Sequence, residues 1–343
     1  MSDLYFPPTT KICYPKDITW VEDKNWANEA VLVYFINDDG GMGYVQIVYS
    51  SMSVNVTTQV SAKFWNKDHN QFATKTGKGS NLNLSEDKRS SSAIDTEFTS
   101  LSADEFHYKI KANFEPKKIR YDLDFTSTCQ YAYQTDKIPF DPENEKNGYC
   151  IHRFIPTGRV TGTVVIDDKT TININGTALY SHAVQQTPQF CKRWNLINMN
   201  NGTDGIMLLE FVNKATSVGK AGLVLDNKLV GVSTECTVNQ VSCTIDKDTK
   251  YEVPNEIKYT FKGKTIEGEK PFTVNLTMKP SNQVDRIDCL SFLPFLIRKF
   301  IQSFISKPYI YQWLDEGEAE VIIGDETKII KGLVLQETSH VSK

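Results

Sequence analysis

Residues 30–37 (AVLVYFIN), 44–51 (YVQIVYSS) and 54–64 (VNVTTQVSAKF) are rich in Val, Ile, Tyr and Thr, and the third alternates between apolar and polar positions. A period of two puts successive side chains on opposite faces of a strand, so one dry and one wet face are expected. Asp38-Asp39-Gly40-Gly41 separates the first two segments and is hairpin chemistry. Strand patterning resumes at 106–114, 119–126, 149–156, 160–166, 171–175 and 177–184. The second half repeats it at 194–199, 206–212, 221–225, 229–236, 256–261, 272–278, 319–323 and 328–337. Asp226-Asn227, Lys262-Gly263 and Gly324-Asp325 supply turns there. Three stretches fall outside this pattern. Residues 1–16, with Pro7-Pro8, read as a tail. Residues 75–95 are polar and serine-rich and read as a long mobile loop, and 136–148 read as a second polar loop.

A helical period enters only at 288–306 (DCLSFLPFLIRKFIQSFIS). Leu293, Leu296, Ile297, Phe300, Ile301 and Phe304 make an apolar stripe, and Arg298, Lys299 and Gln302 lie off it. Pro294 fits a first helical turn, which predicts one amphipathic helix starting near it and ending before Pro308. The stripe suits a helix that covers a barrel, and its basic rim also suits peripheral contact with a membrane surface.

The turn Asp38-Asp39-Gly40-x-x-Gly43 matches Asn200-Asn201-Gly202-x-x-Gly205 at an offset of 162 residues. Either two hairpins share turn residues, or the chain is a tandem duplication whose halves each suit one antiparallel barrel or sandwich. The expected fold is all-β and mainly antiparallel. The expected divisions are a tail at 1–16, a first domain at 17–187 and a second at 188–343. Residues 176–194 (GTALYSHAVQQTPQFCKRW) span the junction, where ligand sites are favoured.

Composition narrows the function. The 343 residues are 40% hydrophobic and 23% charged, which supports packed cores, and the net charge of −4 argues against a nucleic-acid partner. No apolar run reaches the ~20 residues of a membrane-spanning helix. The opening residues lack a signal-peptide pattern, so a cytoplasmic protein is expected, with its seven cysteines reduced. The five histidines are too widely spaced for a metal site, and neither a metal nor a cofactor is expected.

No catalytic motif is specific. His182 reads as a hydrogen-bonded structural residue, and replacement by alanine is expected to cost little stability. Asp285-Arg286-Ile287-Asp288 reads as an ion-paired turn entering the helix. Tyr309, Tyr311 and Trp313 share one strand face and could pack a core or line a pocket.

Several motifs lie in order along the chain: GYVQIVYSS (43–51), HRFIPTGRVTGTV (152–164), GTALYSHAVQ (176–185), KRWNLINM (192–199), LLEF (208–211), DRID (285–288) and KPYIYQW (307–313). With them the chain resembles the fungal survival factor family, from about residue 17 to the C-terminus. The resemblance implies two tandem lipocalin-like β-barrels, the second carrying the helix. It also implies a non-enzymatic carrier of a hydrophobic lipid, ceramide, from the endoplasmic reticulum to the Golgi, linked to survival under oxidative stress. Such a protein is expected in the cytoplasm, also in the nucleus, and peripherally on those membranes. His182, Trp194, Asn195, Tyr309 and Tyr311 are the pocket or junction residues carried over from the match, and Phe300 and Phe304 join them from the helix. The family's N-terminal amphipathic docking helix has no counterpart in 1–16. Two rivals stand beside the carrier: an interaction scaffold with filled barrels, and a carotenoid-hydratase-like enzyme using His182 or Glu210 as its acid.

Overall fold

The computed structural model describes residues 5–341, apart from 6, 9, 22–27, 52–55, 141–142, 145, 147, 187–190, 214–216 and 290–307. The described residues are almost wholly antiparallel strand, with two 3-10 turns at Pro15–Asp17 and Gly79–Asn81. They form two compact units. The N-terminal unit comprises Thr9–Lys137 and Tyr149–Thr187, and the C-terminal unit comprises Met1–Pro8, Ile138–Gly148 and Pro188–Lys343. The expected helix around 294–306 lies outside the described residues, as do Phe300 and Phe304.

In the N-terminal unit the neighbouring strands run Asn70–Lys78, Thr57–Trp65, Met42–Ser50, Asn28–Asn37, Thr170–Gln185, Tyr149–Ile166, Ile119–Ser127, His107–Phe114, Thr96–Ser100, Ser91–Ala93 and Asn83–Leu84. No pairing joins the two margins among the described residues, so this sheet is a half-barrel. Lys75, on the Asn70–Lys78 margin, reaches strands near the other. Its Nζ donates to Asp95 Oδ2 (3.1 Å), in the turn between Ser91–Ala93 and Thr96–Ser100, and to the Asn113 carbonyl (3.0 Å) on His107–Phe114. Alternation turns Val31, Val33, Phe35, Val45, Ile47, Val60, Phe64, Tyr108, Phe125 and Tyr180 into one core. Packing there is tight. A Cβ on Gly43 would lie 2.4 Å from the Phe35 ring and 2.5 Å from the Lys63 carbonyl oxygen.

Four sequence expectations change here. Residues 75–95 are not one loop; they hold the end of one strand, a 3-10 turn and the short pairs Asn83–Leu84 and Ser91–Ala93. The tail contains Thr10–Cys13, which pairs with Ala132–Thr135. Residues 149–166 form one strand with a bulge between Ile155 and Gly158. Asp285-Arg286-Ile287-Asp288 is strand, not a turn, and Arg286 reaches Asp246 and Asp248 at 3.1 and 3.0 Å.

In the C-terminal unit Arg193–Asn200, Gly205–Val212, Ser217–Leu225, Lys228–Ile245, Glu252–Thr265 and Pro271–Met278 form a meander. Tyr309–Ile323 and Glu326–His340 complete it. The last strand pairs with the first, and residues 319–323 pair with 272–276, which closes an eight-stranded barrel. Gln283–Asp288 adds to the other half of Tyr309–Ile323. Tyr5 ties in through its amide, which donates to the Ile266 carbonyl at 2.8 Å.

Both units place their first long strand between the second and the last, which is the topology a tandem repeat requires. The matched hairpins agree in detail. Gly40 and Gly202 take φ of +88° and +102°, a region that favours glycine.

Candidate functional site

Register stacks the inward side chains of the C-terminal barrel into rungs. Met199 lies opposite Val334 and Ile206, and Ile206 opposite Leu223. On the next rung Ile197 faces Leu208 and Gln336, and Gln336 faces Trp313. Above it Asn195 faces Glu210 and Thr338, and Glu210 faces Gly219. At the end Arg193 faces Val212 and His340. The interior therefore passes from apolar to polar along the barrel, as a site for an amphipathic molecule must.

The polar rungs are built on one hydrogen-bonded chain. Thr338 Oγ1 donates to Asn195 Oδ1 (2.9 Å), and Asn195 Nδ2 donates to Glu210 Oε2 (2.6 Å). Ser217 Oγ donates to Glu210 Oε1. Burial pushes the Glu210 carboxyl up, against these two donors and the charge of Arg193. Next to it, Gly219 admits Cys236: a Cβ on this glycine would lie 2.5 Å from the Cys236 Sγ.

The same end is framed by aromatics. Tyr251 stacks on His340 with centroids 4.3 Å apart, and Tyr311 meets His340 edge-on at 5.8 Å. The Tyr311 hydroxyl donates to Asp246 Oδ2 (3.1 Å) and lies 2.7 Å from Thr249 Oγ1. Burial pushes the Asp246 carboxyl up. The amides of Thr249 and Asp248, with Arg286 and Tyr311, outweigh that and hold it far below the usual carboxylate range. Burial, with Arg193 nearby, pushes His340 down to about 4, so it is neutral at pH 7. Gln336, Tyr259 and His340 are 0%, 1% and 6% exposed. Yet Gln336 Oε1 and Nε2, the Tyr259 hydroxyl and His340 Nε2 have no hydrogen-bond partner among the described residues. Such groups are costly to bury unpaired and are uncommon in native interiors.

The barrel wall changes character between the strands next to those of Glu210 and Tyr259. Pairing between Ser217–Leu225 and Lys228–Ile245 runs from Leu225 and Lys228 only as far as Gly222 and Val232. Beyond that, the strands are held by Cys236 on Gly219 and by the Ser233 hydroxyl, which accepts from the Ala221 amide at 2.8 Å. Cys236, Val238 and Gln240 have inward parity, opposite Phe261, Tyr259 and Ile257, yet remain partly exposed.

A second buried polar cluster lies in the N-terminal unit. His182 Nε2 donates to Glu29 Oε1 (2.8 Å), and Nδ1 accepts from Arg153 Nη1 (3.3 Å). Glu29 Oε1 also accepts from the Val21 amide (2.6 Å), and Arg153 donates to the Thr19 carbonyl and to Gln134 (both 2.8 Å). Trp20 covers the imidazole at 5.6 Å. Both histidine nitrogens are engaged, and burial holds its pKa below the ordinary value. This is a structural lock closing one end of the core. Two open clefts of about 340 and 680 Å³ on this unit are lined by other residues.

Among the sequence-derived site residues, Asn195, Tyr309 and Tyr311 share the inward face of the C-terminal barrel. Trp194 lies on the opposite face of its strand, edge-on to Phe211 at 6.0 Å. His182 belongs to the cluster in the other unit, and Phe300 and Phe304 fall outside the described residues. Sequence reasoning missed His340 because it ended the last strand at 337, and it missed Gln336, which lies within that strand, because a polar residue near a strand end gives by itself no sign of facing inward. Extending the parity of Ile330 and Val334 through LVLQETSH would have turned both inward. Among the described residues no group of three or more His, Cys, Asp or Glu side chains could hold a metal ion, and no helix is long and apolar enough to cross a membrane.

The profile of the Svf1 family matches residues 7–342. The chain belongs to the Svf1 family. A Neurospora crassa relative named ceramide-binding protein svf-1 is 25% identical, the match covering 95% of this chain and 88% of that protein. The ceramide-binding protein of Candida albicans is 24% identical, over 96% and 88%. In solved structures the fold resembles that of the Nitrosomonas europaea protein NE1406 (TM-score 0.56, 11% identity, 98% and 99% of the two chains). It also resembles kievitone hydratase from Nectria haematococca (TM-score 0.53, 11% identity, 98% of each chain). At this identity the likeness speaks for the fold alone.

Proposed function

We propose that this Svf1-family chain binds ceramide or a closely related sphingolipid and carries it between membranes without chemical change. The observation that supports this reading is the interior of the C-terminal barrel, apolar at one end and lined by hydrogen-bonding groups at the other. Relatives named for ceramide binding across nearly the whole chain supply the ligand class. On this reading the chain works in the cytoplasm and nucleus, touches membranes peripherally, and moves its cargo from the endoplasmic reticulum to the Golgi. Survival under oxidative stress then depends on that flux. The test is transfer of a fluorescent ceramide from donor to acceptor phosphatidylcholine vesicles. Transfer that rises in proportion to protein supports the reading, and transfer no faster than spontaneous exchange contradicts it.

Glu210 motivates a second reading, since a buried carboxyl with a raised pKa among the polar rungs of a barrel interior can act as an acid. In that case a ligand recovered from the protein would carry an added water, and Glu210→Gln would abolish the change. We favour the carrier because both carboxyl oxygens of Glu210 already accept hydrogen bonds from Asn195 and Ser217.

A further inference from the structure

Gln336 stands on the rung where the barrel changes from apolar to polar. Ile197 and Trp313 are its neighbours across the strands, and Asn195 lies one rung above Ile197. Its carboxamide is completely buried, and neither end has a partner among the described residues. An unpaired amide in such a place costs on the order of 1–3 kcal/mol, more than an apolar side chain of similar size. The surrounding polar groups do not relieve it. Thr338, Asn195, Glu210 and Ser217 satisfy one another in their own chain. That chain is a rigid platform, and the capacity left over belongs to Gln336, Tyr259 and His340, joined at the polar end by Arg193 Nε and Gln240 Nε2.

We propose that Gln336, Tyr259 and His340 form a head-group site that reads an amide. The inference rests on the lipid-binding function argued above and names the groups that give it selectivity. A primary carboxamide offers one acceptor and two donors. The N-acyl linkage of a sphingoid base is a trans amide whose N–H and carbonyl point opposite ways, so its N–H meets Gln336 Oε1 while Gln336 Nε2 donates to a hydroxyl of the base. Its hydroxyls meet the Tyr259 hydroxyl and the neutral imidazole of His340. An ester-linked lipid of the same chain length has no linkage N–H, leaves Gln336 Oε1 unmatched at that point and is disfavoured. Discrimination through buried polar groups left unpaired is the stronger kind of selectivity. Ile197, Leu208 and Met199 on the adjoining rungs give the apolar chains their direction.

The test uses the full chain and phosphatidylcholine vesicles doped with either ceramide or diacylglycerol of matched acyl chains. Wild-type protein is expected to take up ceramide at least tenfold better than diacylglycerol. Gln336→Leu should lose at least tenfold in ceramide uptake, while the thermal midpoint of the ligand-free protein stays level or rises. Tyr259→Phe, which deletes one oxygen, should lose several-fold with the fold retained, and it decides the matter alone if Gln336→Leu does not fold. A purely structural amide would give the reverse, a fallen midpoint with uptake unchanged, and that overturns the proposal. Variants that take up ceramide as well as wild type sink this site and leave the carrier reading standing. A wild-type protein that takes up neither lipid sinks both.

Discussion

Glu29 sits in the core of the N-terminal unit as a carboxylate facing an imidazole, and that pairing decides what His182→Ala would do. The sequence suggested a small cost. The buried hydrogen bond revises it, because removing one partner strands charge in a low-dielectric interior, an effect of about 3 kcal/mol. Urea denaturation should show that loss, and a change within error would mean that water replaces the ring. His340 sets a pH dependence. Its folded pKa, about 4, lies below the 6.5 of an unburied imidazole, so between these values the unfolded chain binds the extra proton. Stability is therefore complete above pH 6.5 and falls toward pH 4 by roughly 1.4 kcal/mol per pH unit for each such histidine. His152, pushed down to about 3 by burial, adds in the same direction. His340→Phe, which keeps a ring against Tyr251, should flatten the fall measured by urea midpoints across that range. An unchanged profile would remove His340 from the account.

Strands were legible at the scale of elements wherever alternation ran long enough, as in 30–37, 44–51 and 206–212. The short strands within 75–95 were not. Their order comes from side-chain hydrogen bonds such as Ser90 Oγ accepting from the Ser100 amide (3.0 Å) and Arg89 Nη2 donating to the Ser102 carbonyl (2.5 Å). Composition reads those same serines as loop. Bulges joined strands that the pattern had split, as at Ile155. Gly43 shows how closely the long strands pack. Gly43→Ala pushes a methyl group into the Lys63 carbonyl and the Phe35 ring and should cost about 2 kcal/mol in chemical denaturation. No measurable cost would mean that the sheet opens there easily. The seam in the C-terminal barrel gives another check. Burial and the nearby Glu210 charge push the Cys236 thiol up to about 12, leaving almost no thiolate at neutral pH. Despite its partial exposure, Cys236 should react with maleimide far more slowly in the native protein than in the unfolded chain. Equal rates would place the thiol in solvent.

For the whole molecule, two tandem all-β units were readable from turn chemistry, length and a run of motifs, and the repeated topology gives the offset of 162 residues a structural meaning. Single residues at the site were harder to read. Alternation marks which positions face inward but not which inward polar groups already have partners. Asn195 and Glu210 satisfy each other, while Gln336 and His340 stand apart from that chain, and only three-dimensional register separates the two cases. The contribution of segments 138–148 to the C-terminal unit was likewise invisible, because nothing local in a polar stretch announces a distant partner. The account stands or falls on whether this protein holds a lipid. Native mass spectrometry of the full chain purified from a eukaryotic host, followed by extraction of what co-purifies, measures that directly. The account predicts a bound species at one per chain that proves to be ceramide or a related sphingolipid, chemically intact. A bare protein mass that persists after incubation with ceramide-bearing vesicles would contradict it and leave a filled scaffold as the better reading.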